Sequence, residues 1–535
     1  MNDHATDSPL NILLFLCNWG AHAAFLTLQD QRQPIPDEVR MLRTPCTGRI
    51  DRAMILKAFA KGADGVALVG CEPGSCRYGS GTATSTRNTQ DMRQILDLMG
   101  LGGERLRFAG FLPEQSADLL AFLQEFTAEI KALGPAGITA GPAPPPPSME
   151  EHKRSLRHLV AEYDIHACQD CGKCSSACPL ALIGKPFSPR AIAAAVITGG
   201  IHAPGVEENA WSCLTCGLCY DRCPSAVNFP AFIKALRHLY RQTDLPGQEV
   251  HGGIFHSLMR SMSFSAVTPN RWGGLPEEIR IDPESTTLFF GGCAPYYDIF
   301  FSKNNDSQTN QILLDSLRLL NFFDVAPRVL TDERCCGHDL LWSGDRENFL
   351  RIARLNVERL NDLGIETVIT TCPECYMTLH TTYGEEGLAP RFRVVHLYDF
   401  LEEQIDKNAV GFKPLNRTIT FQDSCRLGRL EGRVDLPRKL LKRLQVKFVE
   451  MKESAGASIC CGNSAWTGCD SYSKALQVKR LEQAHATGSD LLVTACPKCQ
   501  MHLKCAMEDP FRREQLQIEL MDLTSVIAQT IHWEG

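Results

Sequence analysis

The sequence predicts an α/β and α multidomain protein: an N-terminal doubly wound parallel α/β domain, a helical domain built around cysteine loops, and a duplicated α/β C-terminal half. Three observations carry this. Short apolar runs alternate with helical patterns over the first 135 residues; eight cysteines between Cys168 and Cys223 fall into two identical spacings; and the chain after about Thr286 repeats itself. The predicted boundaries are 1–135, a Pro-rich linker at 136–147, then 148–260, and two repeats at 261–410 and 411–535.

In the first domain, strands are expected at Ile12 to Leu16, Val39 to Arg43, Gly65 to Val69 and Leu106 to Phe111. Between them, Asp51 to Gly62 opens with an Asp cap and closes with Gly, as a helix does. Leu119, Leu123, Phe126, Ile130 and Leu133 recur with helical spacing. Strands alternating with helices imply a parallel sheet. The linker GPAGITAGPAPPPP has no apolar periodicity and ends in four prolines, a semi-rigid spacer. Ser188 to Gly200 and Phe229 to Gln242 read as helices flanking the cysteine loops.

Composition narrows the function. With 535 residues there is length for three or four packed domains. A net charge of −7, with no basic run interleaved with aromatics, argues against nucleic acid as a partner. The N-terminus lacks a cationic stretch, and Asn18, Gly20 and His22 break the apolar run from Ile12 to Leu28. That excludes a signal peptide or a membrane span there, so membrane contact is expected only through another subunit. The 24 cysteines at clustered CxxC spacings indicate metal thiolates rather than disulfides, and hence a reducing, anaerobic cytoplasm.

Cys168, Cys171, Cys174 and Cys178 repeat as Cys213, Cys216, Cys219 and Cys223, each set spaced CxxCxxCxxxCP. Zinc or disulfides would be the plain alternatives, but zinc has no use for a third Cys at this spacing. The pattern resembles the two-cluster bacterial ferredoxins, which implies two cubane [4Fe-4S] clusters with crossed ligation. Cys168, Cys171, Cys174 and Cys223 would hold one, and Cys213, Cys216, Cys219 and Cys178 the other. The domain also resembles the C subunit of heterodisulfide reductase and the iron–sulfur halves of succinate and glycolate oxidoreductases.

Cys17, Cys46 and Cys71 each follow a predicted strand, and Cys76 lies five residues beyond Cys71. Ligands of such sheets sit at the carboxyl ends of the strands, so the four should converge. Four thiolates suit a [2Fe-2S] cluster, although lone cysteines at strand ends also serve as small core residues. The stretches CNW, PCTGRID, LKAFAKGADGVALVGC and CRYGSG resemble the delta subunit of methyl-viologen-reducing hydrogenases over about Asn11 to Pro135. The resemblance implies a [2Fe-2S] cluster and a flavoprotein partner. Two departures stand out: Gly20 replaces the second Cys of the usual CNWC, and Glu72 and Arg77 replace histidines.

In the C-terminal half, TTLFFGGC, a helix around QILLDSLRLL, a strand near APRVL, CCGHD, a helix DRENFLRIARLNVERL and VITTCPECYMTL form one copy. RTITFQDSC, PRKLLKRL, KFVEM, CCGNS, YSKALQVKRLEQA and LVTACPKCQMHL form the other, with Cys372 and Cys375 recurring as Cys496 and Cys499. This is an internal duplication. Each copy offers five thiols: Cys293, Cys335, Cys336, Cys372 and Cys375, then Cys425, Cys460, Cys461, Cys496 and Cys499. Five exceed what a cubane needs, and adjacent Cys-Cys side chains diverge, which suits a larger or opened cluster; a zinc-stabilised CxxC in each copy is the plain alternative. The spacing resembles the CCG domains of the heterodisulfide reductase B subunit. That implies two noncubane [4Fe-4S] clusters with a disulfide cleaved between them, and these ten cysteines as the catalytic set. Cys469 and Cys505 remain and read as apolar core residues. His338, directly after CCG, is a candidate proton donor or a structural residue; its counterpart is Asn463.

Together the resemblances imply an oligomeric complex with a heterodisulfide reductase A-like flavoprotein carrying FAD, since no GxGxxG loop is visible in this chain. The electron donor would be a hydrogenase, a formate dehydrogenase or an NAD(P)H module, with ferredoxin as a further partner if the flavin bifurcates electrons. The competing reading is a pure electron-transfer subunit, as in the membrane complexes of sulfate reducers or beside aromatic-CoA reductases. A glycolate- or lactate-oxidase iron–sulfur subunit would leave the first domain unexplained, and a nonredox scaffold the cysteines.

Overall fold

The computed structural model describes residues 10–139, 147–243, 247–408 and 410–533. Most of the Pro-rich linker, residues 140–146, lies outside the described residues. The chain divides into two compact units: Met1–Ala143 with His251–Arg271, and Pro144–Val250 with Trp272–Gly535.

The first unit is a four-stranded parallel sheet in the order β2-β1-β3-β4, formed by β1 (Ile12–Cys17), β2 (Val39–Thr44), β3 (Gly65–Cys71) and β4 (Leu106–Phe111). β3 is buried along its whole length, as a central strand covered on both faces must be. Helices α1 (Gly20–Asp30) and α4 (Ser116–Leu133) pack together on one face; α2 (Arg52–Ala60) and α3 (Gly81–Leu98) pack together on the other. The Asp51 carboxylate accepts the Met54 N–H at 2.8 Å and caps α2. The helix Ile254–Ser261 lies against α2, and the Asn270 N–H donates to the Leu98 carbonyl at 2.9 Å. Residues 251–271 therefore pack with this unit, although the sequence pattern placed them at the junction of the 148–260 domain and the first repeat.

In the second unit, residues 147–243 are helical, with Met149–Glu162, Pro189–Gly199 and Phe229–Arg241 the longer helices. The C-terminal half forms two all-parallel sheets: β5 (Thr287–Phe289), β6 (Thr367–Thr370) and β7 (Arg393–His396) in the order β5-β6-β7, and β8 (Thr418–Gln422), β9 (Lys447–Phe448), β10 (Leu491–Thr494) and β11 (Glu519–Asp522) in the order β11-β10-β8-β9. The strand expected near APRVL is reduced to a single parallel bridge between Arg328 and Leu288, in the place β9 holds in the other sheet. Pro327 supplies no N–H there, which limits the pairing. No helix among the described residues is long and apolar enough to cross a membrane.

The two copies end alike. His396 closes β7 and its Nδ1 accepts the Tyr398 N–H at 3.2 Å; Asp522 closes β11 and its Oδ1 accepts the Thr524 N–H at 2.9 Å. Burial pushes the Asp522 carboxyl up to about 6, from an ordinary value of 3.8. Between those two values the unfolded chain has lost a proton that the folded chain keeps, so stability falls as pH rises. The cost is complete above pH 6 and amounts to about 3 kcal/mol. Asp522→Asn, whose amide oxygen retains the cap, is expected to stabilise the protein by up to that amount at pH 8 and little at pH 4. Anaerobic urea denaturation at the two pH values measures this; an equal effect at both would contradict it.

Candidate iron–sulfur sites

The four N-terminal thiols meet at the carboxyl ends of the strands. Cys17 ends β1 and Cys71 ends β3, with their sulfurs 3.6 Å apart. A Cβ added at Gly81, the first residue of α3, would collide with the sulfurs of both Cys46 and Cys76. Burial pushes Cys17 up to about 12, and Cys71 and Cys46 add to it. Burial also opposes ionisation of Cys76, but the N–H groups of Thr82, Tyr78 and Gly81 bring it below the ordinary thiol value. Thiols that raise one another in this way ionise together only around a cation. A Cβ at Gly20 would lie 2.5 Å from the Phe111 carbonyl oxygen, so position 20 has no room for a fifth cysteine. Arg77 lies over the Trp19 ring at 3.9 Å, beside the four thiols.

In the helical segment, Cys178, Cys213, Cys216 and Cys219 line one small cavity. The structure thus sets Cys178, from the first loop, among the cysteines of the second. Burial, with Cys216 and Cys213 adding, pushes it up to about 12. Cys168 and Cys171 are exposed, and Cys174 and Cys223 are half-buried. The short helices Lys173–Ala177 and Leu218–Asp221, which carry Cys174 and Cys219, pack against each other. One set of thiols therefore faces outward and the other inward.

Two buried guanidinium groups and a third, half-buried one surround the inner set, and sequence reasoning missed them. Arg237 donates to the Cys213 carbonyl at 2.5 Å and to the Trp342 carbonyl at 2.7 Å. Arg426 donates to the Thr215 carbonyl at 2.5 Å and to its hydroxyl at 3.0 Å, and Arg429 donates to the Cys216 carbonyl at 2.9 Å. None of the three has a carboxylate partner within salt-bridge distance among the described residues. Unpaired buried charge is costly. A cluster held by four thiolates is an anion, and the residues present fit one here.

Each C-terminal copy closes its five thiols into a cage, again at the carboxyl ends of parallel strands. In the first copy the Cys293 and Cys335 sulfurs lie 3.2 Å apart, and all five cysteines line one cavity with Tyr297, His338, Asp339, Glu374 and Lys498. In the second copy Cys461 and Cys499 are 3.3 Å apart; Cys425 hydrogen-bonds to Cys460, and Cys496 to Cys499. The second Cys of each CCG triplet is held low by thiol donors, Cys336 at about 7 by Cys335 and Cys375, and Cys461 at about 5 by Cys460 and Cys499. Cys425 and Cys499 are held high by thiol neighbours and burial. Cys178, Cys213 and Cys216 share one hydrophobic core with Cys460, Cys461, Cys496 and Cys499, and Cys216 lies within electrostatic reach of Cys460.

The two cages are tied at equivalent residues. Glu374 of CPEC and Lys498 of CPKC occupy the same place in the repeat, and their charged groups meet at 2.5 Å. Lys498 also bridges both Asp339 oxygens at 2.8 Å. His338 Nδ1 lies 2.8 Å from Asp339, while its Nε2 accepts from Arg426 at 3.0 Å. The group His338, Asp339 and Glu374 has metal-ligand chemistry, but the Lys498 ammonium is the cation that serves it. His338 is thus fully engaged in the buried network. Cys469 is exposed rather than core, and Cys505 is half-buried with the Lys474 ammonium 3.6 Å from its sulfur.

Two outcomes are expected. Gly81→Ala should expel Cys46 or Cys76 from the N-terminal group and lower the iron content by the amount of that site alone, as read by Mössbauer spectroscopy; full retention would count against it. Lys498→Met leaves Asp339 and Glu374 buried without a counter-charge and should cost about 3–5 kcal/mol in anaerobic denaturation, whereas a loss below about 1 kcal/mol would show that the network relaxes.

Comparison with known proteins agrees with this layout. Residues 12–134 match the family described as methyl-viologen-reducing hydrogenase, delta subunit; residues 148–227 match a 4Fe-4S dicluster domain; residues 287–380 and 419–504 match the cysteine-rich domain. The B subunit of fumarate reductase (CoM/CoB) from Methanothermobacter marburgensis is 27% identical, covering 64% of this chain and 68% of its own length. The D subunit of dihydromethanophenazine:CoB–CoM heterodisulfide reductase from Methanosarcina barkeri is 27% identical, covering 64% of this chain and 88% of its own. EtfAB:quinone oxidoreductase of Syntrophomonas wolfei is 25% identical, covering 63% of this chain and 54% of its own. The chain therefore joins a segment that matches the hydrogenase delta subunit, a segment that matches a 4Fe-4S dicluster domain and two that match the cysteine-rich domain, and about two-thirds of it is similar to a heterodisulfide reductase D subunit.

Proposed function

We propose that this chain is the iron–sulfur subunit of a heterodisulfide-reductase-like complex that passes electrons to a disulfide. The observation that carries the reading is the pair of complete five-thiol cages, one sharing a hydrophobic core with the inner dicluster site and both joined through Glu374 and Lys498. Cys17, Cys46, Cys71 and Cys76 would hold a [2Fe-2S] cluster, and the eight cysteines from Cys168 to Cys223 two cubanes. The ten from Cys293 to Cys499 would hold two noncubane clusters. When bound, these groups supply one-electron relay and, in the cages, iron that takes sulfur. The protein's own part is to bury the acceptor end, to compensate its charge with Arg237, Arg426 and Arg429, and to leave Cys168 and Cys171 at the surface facing a donor. FAD would reside on a heterodisulfide reductase A-like partner that receives electrons from a hydrogenase, formate dehydrogenase or NAD(P)H module, with bifurcation to ferredoxin at that flavin. The cytoplasm is the compartment this assembly requires.

The second reading is a relay with no substrate of its own, and the relative named as a quinone oxidoreductase favours it. Addition of disulfides, including that of coenzymes M and B, glutathione disulfide and cystine, to the reduced protein separates the two. The disulfide reading expects a changed EPR signal from the C-terminal centres with at least one of them, and anaerobic purification from the host with stoichiometric FAD protein. Unchanged spectra with all of them, or a membrane cytochrome as the only co-purifying redox protein, would move the chain to the relay class.

A further inference from the structure

Disulfide reduction consumes protons as well as electrons, and the thiol cages are poorly open to water: Cys293, Cys372 and Cys425 are half-buried and the other members are buried. Of the polar residues that line the first cage, His338, Asp339, Glu374 and Lys498 are engaged with one another. A separate polar line leads outward on the other side of the repeat. A cavity of about 1380 Å³ lies between the helices Thr309–Phe322 and Leu523–Thr530. Its rim includes Arg280 and Asp324, with side-chain exposures of 56% and 92%, so it opens to solvent. Its floor includes Asp522 and Gln500, and the buried Gln500 Oε1 has no hydrogen-bond partner among the described residues.

From this floor a file of hydroxyl groups runs inward. The Tyr398 hydroxyl donates to Asp522 Oδ1 at 3.0 Å, the Thr524 hydroxyl lies 3.4 Å from the Tyr398 hydroxyl, and the Thr371 hydroxyl lies 3.0 Å from that of Thr524. Thr371 immediately precedes Cys372, and the Tyr398 hydroxyl lies within electrostatic reach of the Cys496 thiol. All four residues are at most 1% exposed. Tyr398 and Thr524 are corresponding second residues of the helices capped by His396 and Asp522, so the file runs along the contact between the two copies. Thr371 has no hydroxyl counterpart, since Ala495 stands in its place, and the file ends on the first copy only.

We propose that the cavity, Asp522, Tyr398, Thr524 and Thr371 are the route by which protons from water reach the thiol cages. This rests on the disulfide reading above. In the balanced reaction the S–S bond breaks, two electrons arrive from the donor side, and two protons from water form two S–H bonds. In the resting arrangement Thr524 donates to Tyr398 and Tyr398 to Asp522, so each transfer begins with these hydroxyls turning inward; the Asp522 carboxyl then gives its hydrogen to the Tyr398 oxygen as the Tyr398 hydrogen passes to Thr524 and the Thr524 hydrogen to Thr371, and the Thr371 hydrogen goes to the thiolate sulfur released from the disulfide. Every hydroxyl is neutral before and after, and Asp522 is reprotonated from the cavity. Burial, with Asp315 facing it across the cavity, keeps the Asp522 carboxyl near 6, where it both holds and releases a proton at neutral pH.

The test uses the complete cluster-loaded chain with its partners, reduced methyl viologen as donor and the coenzyme M–coenzyme B disulfide as probe. Tyr398→Phe and Asp522→Asn are expected to lower kcat at least tenfold with KM within twofold, to enlarge the solvent deuterium isotope effect and to leave the EPR signals unchanged. Formate or imidazole should restore Asp522→Asn through the cavity. A readout independent of turnover is infrared difference spectroscopy at pH 6: the wild type should show a carboxylic acid C=O band that is absent in Asp522→Asn. Wild-type turnover with unchanged kcat and isotope effect in both variants, or no such band in the wild type, overturns the route. A wild type that turns over no probe disulfide and shows no thiol-dependent spectral change overturns the disulfide reading instead.

Discussion

Thiolates gathered in a low-dielectric interior repel one another, and the rest of this structure is arranged around that constraint. As bare thiols, the members of each cage can ionise only in part: Cys336 and Cys461 are held low by donors from their neighbours while other members are pushed high. Iron removes the conflict by replacing protons with cations. What remains is the net charge of the assembled groups, and the protein meets it with arginines rather than lysines around the inner dicluster site. A guanidinium stays charged when buried and offers several donors to backbone carbonyls. Arg237 and Arg426 use those donors on the Cys213 and Thr215 carbonyls, which fixes the loop.

The same solution to placement is used three times. In every sheet the strands are parallel, and the cysteines follow their carboxyl ends: Cys17 and Cys71 in the first unit, Cys372 after β6, Cys496 after β10. A parallel sheet points the ends of its strands the same way, so residues distant in sequence arrive at one edge. Duplication then adds what a single copy lacks. Like residues of the two copies face each other, and at the CPxC loops one copy carries Glu374 and the other Lys498, so that a contact which would repel in a symmetric dimer attracts here.

Much of this was legible in the sequence. Strand runs in the first domain, the Asp51 cap and the repeat are signals the structure contains as elements, and of the first-domain and dicluster spacings it gathers Cys17, Cys46, Cys71 and Cys76, and Cys178 with Cys213, Cys216 and Cys219. Legibility stopped where meaning depends on a distant partner. Nothing in the local pattern of residues 251–271 names α2 as their partner. Arg426 and Arg429 lie between the quoted motifs of the second copy, and their role appears only when Thr215 and Cys216 arrive, more than 200 residues away in sequence. The opposite charges at Glu374 and Lys498 could have been noticed, since aligning the two copies sets them side by side. The strand near APRVL failed for a local reason, because Pro327 removes a donor at the sheet edge.

The return of residues 251–271 to the first unit alters what the Pro-rich linker means. A linker followed by an independent module would be a simple tether, and cutting it would release the module before it. Here the backbone passes between the units three times, after residues 143, 250 and 271. A nick in the prolines leaves the hydrogenase delta-like segment still clasping the Ile254–Ser261 helix, which is continuous with the dicluster segment on one side and the first cysteine-rich copy on the other. A cut at the linker therefore leaves residues 251–271 of the first unit on the other fragment.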